Sequence, residues 1–136
     1  MATLALGSAC AQAMLLPTTQ LIVGPYSVQA EIAATESSRS YGLMHRASLP
    51  ADHGMLFIFD EVGKPCFWMR NTPLPLSIAF INERGDIVNI ADMQPHSTDT
   101  HCPNEPVRYA LEMEQGWFRD HQIQSGARIQ NLPRPQ

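Results

Sequence analysis

Lysine is almost absent from this chain. Lys64 is the only one, and arginine supplies the rest of the nine basic residues. No Lys/Arg cluster stands out and the net charge is −4, so the electrostatic footprint of a nucleic-acid binder is missing. Charged residues make up 16%, low for a globular chain. No apolar run approaches the ~20 residues that a membrane-spanning helix needs, and no membrane span is expected. The sequence has no nucleophile elbow around its serines. Its five histidines form no His-x-His or His-x-x-x-His pair, and its methionines form no Met-x-x-Met cluster. Neither a cofactor nor a metal is therefore expected.

What is present fits one domain. The 136 residues are 44% apolar, enough for one compact core. Residues 1–13 run small and apolar and end in Ala11-Gln12-Ala13, a small-x-small cleavage pattern, but they lack a basic leading segment. They read as the remnant of a secretory signal peptide, which implies a periplasmic or secreted protein. Cys10 raises lipidation as an alternative, although Gly7 stands where a large aliphatic residue belongs. Residues 14–132 form the expected β domain, and 133–136 a flexible tail. Removal of the signal would leave Cys66 and Cys102, an even count that suggests a disulfide in an exported chain.

Periodicity supplies the elements. Tyr26, Val28, Ala30 and Ile32 alternate with Ser27, Gln29 and Glu31, giving a half-buried strand that pairs in a hairpin with Leu21–Val23 across Gly24-Pro25. Thr35 can cap a short helix, 36–41, that Gly42 closes. Met55–Phe59, Phe67–Met69 and Leu76–Ile81 are short apolar runs read as buried strands. Residues 86–93 return after a loop that closes on Gly85. A polar loop with three prolines spans 94–106. Val107, Tyr109, Leu111 and Met113 alternate with Arg108, Ala110, Glu112 and Glu114. A short helix within 116–122 and a last strand at 127–130 complete the chain. The prediction is a mostly β fold with short helices, a single-domain β-sandwich or barrel-like fold.

The blocks Gly42-Leu-Met-His-Arg46, Leu49-Pro50, Gly54-Met-Leu-Phe-Ile-Phe59, Phe67-Trp-Met-Arg-Asn-Thr72, Pro75-Leu76 and Arg108-Tyr-Ala-Leu-Glu112 occur in order. Together they closely resemble the domain-of-unknown-function 192 family, from about Gln29 to Ile129. The resemblance implies a small, mostly β domain that commonly follows an export signal in bacteria. It implies no established biochemical activity.

The residues themselves point to a pocket beside the turn Phe67–Thr72. Trp68 offers an apolar face and one donor, and Asn71 can both donate and accept. Met69 and Thr72 flank them. The plainer reading makes Trp68 and Met69 core residues and Asn71-Thr72 a simple turn. Arg39 and Arg46, which flank the Gly42 turn, could meet an anionic ligand through paired donors, or form structural ion pairs, for instance with Asp60 or Glu112. Arg108 and Glu112 share a strand face with the small Ala110 between them, so both could line a concave surface; a solvated ion pair is the plain alternative. These residues favour a monomeric exported binding module for a small polar or anionic molecule or a peptide, and favour it over an enzyme. One alternative is a hydrolase or carbohydrate-active accessory enzyme, with Glu112 or Asp92 as a perturbed acid. The other is copper binding by the loop carrying His96, His101 and Cys102.

Overall fold

The computed structural model describes residues 15–135. The signal-peptide reading of residues 1–13 and the question of Cys10 lie outside the described residues. Seven strands and two short helices follow in the order β1 (Thr18–Val23), β2 (Tyr26–Ala33), α1 (Glu36–Tyr41), β3 (His53–Gly63), β4 (Leu76–Ile81), β5 (Ile87–Met93), β6 (Val107–Glu114), α2 (Trp117–Asp120) and β7 (Ile129–Gln130).

All seven strands belong to one sheet, ordered β5-β4-β6-β3-β2-β1-β7. Of the two expected architectures, the barrel-like one is adopted. The sheet curls until its outer strands meet along part of a seam. Ile87 N–H donates to the Ala127 carbonyl (2.9 Å), Gly126 N–H to Ile87 (2.7 Å) and Ile129 N–H to Gly85 (2.8 Å). The β1–β2 hairpin turns at Gly24, whose φ of 58° is the positive value that primed hairpin turns require. β2 and β3 pair parallel, from Gln29↔His53 to Ala33↔Phe57. A parallel pair needs a crossover, and the segment carrying α1 provides it. Thr35 caps α1 as expected, in a reciprocal capping box with Ser38.

The sheet is buried on both faces. Leu21, Val28, Leu56, Ala79, Ile87, Leu111 and Ile129, one from each strand, pack inside the curl, and α2 adds Trp117 and Phe118. Outside, Met55, Phe57, Ile78, Phe80 and Ala110 form a second core under Leu43, Met69 and Leu74. Alternate residues of β3, β4 and β6 therefore serve two cores. The 11-residue β3 outruns the predicted Met55–Phe59 strand.

One expected element is absent. Phe67–Met69 is not a strand of the sheet but part of a loop laid across its outer face, with a single β-bridge, Phe67↔His101. The run is apolar because it roofs a core. The 94–106 loop runs antiparallel beside it. Phe67 and His101 exchange backbone hydrogen bonds of 2.8 Å, Met69 N–H donates to Ser97 (2.9 Å) and His96 N–H donates to Thr72 (3.0 Å). A Cys66–Cys102 disulfide locks the two segments together, as expected from the cysteine count.

Candidate functional site

Two clefts stand out among the described residues. The first, about 650 Å³, lies by α2 against Ser77, Asp92 and Arg119. Polar groups at its centre bond to one another: Ser77 Oγ donates to Asp92 (2.6 Å), Gly116 N–H donates to Ser77 (2.9 Å), and Arg119 pairs with Asp92 (3.3 Å). The second, about 580 Å³, lies over the outer face of the sheet between α1 and the 65–72 loop. Leu43, Phe57, Phe67, Met69 and Leu76 line it with apolar surface, and Glu112 is part of it.

Glu112 reaches this cleft from β6, near the middle of the sheet. Met55 of β3 and Ile78 of β4 stand opposite it on either side. It is 4% exposed, and among the described residues no side-chain hydrogen bond or ion pair engages its carboxyl group. An ionised carboxylate in such surroundings lacks the water that would stabilise it. Burial alone pushes its pKa from 4.5 up to about 8, so the group is a neutral acid at pH 7. Two residues earlier on the same face, Ala110 stands opposite Phe57 and Phe80. The space its small side chain leaves is taken by Phe67, whose ring lies edge-on to Phe57 at 4.9 Å and tilted against Phe80 at 5.8 Å.

The other predicted site residues divide. Met69 is 1% exposed and both packs in the outer core and lines the cleft. Thr72 is buried in the cleft wall and donates to the Arg70 carbonyl at 3.1 Å. Trp68 stands at the cleft mouth, 45% exposed, with the Arg70 guanidinium 5.5 Å from its ring centre. Asn71 is exposed outside the cleft, in the left-handed conformation (φ 55°).

Arg46 also lies outside the cleft. It pairs bidentately with Glu31 at 2.5 and 2.7 Å, not with Asp60 or Glu112, and that bond holds its pKa above the ordinary value. Arg108 turns away from Glu112. Beyond Ile58, β3 leaves the ladder with β6, and Arg108 satisfies the freed carbonyls of Phe59 (2.7 Å) and Asp60 (2.9 Å) and pairs with Glu83 at 3.2 Å. The expected Arg108–Glu112 surface does not form.

On the α1 side of the cleft the sequence pointed to Arg39 alone, and the ion pair with Asp60 that was its plain reading is the one that forms. Arg39 lines it, tied to the Ala34 and Ile58 carbonyls (2.7 and 2.9 Å) and to Asp60 at 3.4 Å. Tyr41 and Gly42 follow on the same wall. The Arg-x-x-Gly-Leu spacing at the end of α1 was the available signal. No three His, Cys, Asp or Glu residues among those described come together to hold a metal ion. Cys102, a ligand candidate in the copper reading, is committed to the disulfide.

A mostly β domain with a cleft over the outer face of its curled sheet defines the class. Residues 19–131 match the model of DUF192, described as Uncharacterized ACR, and the chain belongs to that family. No curated protein matches it. Among solved structures, the chain is similar to a Sinorhizobium meliloti 1021 protein named provisionally as a transcription regulator. That pair shares 34% identity with a TM-score of 0.82, over 88% of this chain and 97% of the other. It is also similar to a protein of unknown function from Novosphingobium aromaticivorans DSM 12444, at 28% identity and a TM-score of 0.82, over 85% and 86%.

Proposed function

We propose that the protein is an exported, non-enzymatic binding module whose cleft beside the Phe67–Thr72 turn takes a small molecule. The observation that carries this reading is Glu112, a buried acid with no side-chain hydrogen bond or ion pair among the described residues, in a cleft walled mainly by apolar side chains. Apolar walls with few convergent polar groups are the usual composition of a ligand site. Trp68 at the mouth would cover a ligand, and Thr72 and Met69 would shape the wall. The Cys66–Cys102 disulfide supports export, since such bonds persist in oxidising compartments. The regulator name of the Sinorhizobium protein is not carried over, because a sequence of net charge −4 without a Lys/Arg cluster offers no support for DNA binding.

Native mass spectrometry of protein purified gently from its own compartment tests the reading. A retained small molecule, lost from Trp68→Ala, is the expected result. A ligand-free mass, together with Trp68 fluorescence that no small molecule in a broad panel shifts, would sink it.

An enzymatic reading rests on the same side chain. A carboxyl group with a pKa of about 8 is suited to general acid or base chemistry at neutral pH. Asp92, the other acid considered, belongs to the α2 cleft. Hydrolysis of a model glycoside or ester that survives Glu112→Gln with an unchanged pH profile would remove Glu112 as the catalytic group.

A further inference from the structure

We infer that the cleft recognises an apolar amine: a primary ammonium group, carried on an aromatic or aliphatic body, that pairs with Glu112. This deepens the binding reading above and rests on it. Three observations converge on a cation. First, Glu112, once ionised, presents two acceptor oxygens that meet no donor among the described residues. An ammonium supplies three. Second, five aromatic rings, those of Tyr41, Phe57, Phe59, Phe67 and Trp68, line the same cleft. Their π faces attract cations, and two already do so here: Arg70 lies 5.5 Å from the Trp68 ring centre and Arg39 lies 5.7 Å from that of Phe59. Third, no cation among the described residues serves Glu112: Arg39, which lines the cleft, is engaged by Asp60 and two backbone carbonyls, and Arg70 lies against Trp68 at the mouth.

The groups that could titrate around Glu112 are few. α1 contributes Glu36, Arg39 and Tyr41, and β6 contributes Glu112 itself. β3 and β4 place Met55 and Ile78 opposite it, and the 65–72 segment lines the cleft with Phe67, Trp68, Met69, Thr72 and a disulfide-bonded Cys66. Glu112 is therefore the group whose proton the ligand displaces. In the empty cleft the acid is neutral at pH 7. When an ammonium enters, the O–H bond of Glu112 breaks, its proton passes to solvent, and the carboxylate pairs with the ligand. The ligand keeps its own protons, so binding releases about one proton at pH 7 and tightens about tenfold per pH unit below pH 8.

The probes are phenethylammonium and its neutral counterpart 2-phenylethanol, titrated calorimetrically into the full chain at pH 6, 7 and 8. Each titration is repeated in two buffers of different ionisation heat, with Trp68 fluorescence read in parallel. The expected result is amine binding that strengthens about tenfold from pH 6 to 7, a buffer-dependent heat equal to about one proton released, and 2-phenylethanol binding that is weaker and independent of pH. Glu112→Gln, checked for folding by circular dichroism, should remove the amine preference and the pH dependence. The buffer experiment on the unaltered protein tests the same proton if that variant misfolds. If alcohol and amine bind alike at every pH, the ammonium assignment is wrong while the cleft remains a binding site. If neither binds, both readings fall.

Discussion

Replacing Glu112 with glutamine should flatten the pH dependence of stability and favour the variant increasingly as pH rises. Folding moves this carboxyl group from a pKa of 4.5 to about 8. Between those values the folded chain holds a proton that the unfolded chain has released. Stability then falls as pH rises, by ~1.4 kcal/mol per unit. The loss begins near pH 4.5 and is complete near pH 8, where it reaches about 5 kcal/mol. Glutamine has nearly the same shape but no charge. Its amide still costs something in an apolar cleft, and that cost does not vary with pH. Every other titrating group is shared by the two proteins and cancels in their difference. Urea denaturation of both, in steps from pH 5 to 9, should show the variant gaining on the wild type by about 3 kcal/mol between pH 5 and 8, then levelling off. A difference that stays constant across the range would show that Glu112 is ionised when folded, and that water or a counter-charge reaches it.

Two further perturbations probe the frame of the site. Replacing Cys66 and Cys102 by serine frees a loop of 36 residues in the unfolded chain and should cost ~4 kcal/mol, read as a lower urea midpoint that reduction of the wild type reproduces. Gly54→Ala should cost about 3 kcal/mol or prevent folding, because a methyl group there would overlap the Glu112 carbonyl oxygen and the Met113 sulfur where β3 meets β6. An unchanged melting temperature would mean that the two strands can separate without loss.

Much of the sheet was legible because strand alternation and turn residues agree. The β1–β2 hairpin, the Thr35 cap, β4 and β6 stand where the pattern puts them. Phe67–Met69 was misread for a physical reason. A loop that roofs a buried face is as apolar as a buried strand, and a three-residue run carries no period to separate them. The parallel pairing of β2 with β3 left no mark either, since it depends on where α1 carries the chain and not on either strand alone. The candidate site was half legible. Trp68, Met69 and Thr72 do border the cleft, and Glu112 was among the residues named. Its burial was hidden because Arg108, Ala110, Glu112 and Glu114 alternate with apolar residues as a solvent-facing row would. Only the tertiary cover of α1 and the disulfide-bound loop turns that row inward at Glu112 and leaves Glu114 exposed. Arg46 and Arg108 found partners far along the chain, in Glu31 and Glu83, which no local spacing could announce.

The way β5 is guarded bears on how the protein behaves at high concentration. β5 is an outer strand of the sheet, and only its first residue, Ile87, is sealed, against Gly126 and Ala127 just before β7. Farther along, Asn89 takes over with its side chain, donating to the Cys102 carbonyl (3.3 Å) and accepting from Asn104 N–H (3.0 Å), so the 94–106 loop is fastened over the strand. A bare strand edge invites another copy to add itself to the sheet. The same disulfide that steadies the cleft wall thus anchors a guard against self-association. In a reducing environment that guard would loosen and leave the β5 edge open to a second copy.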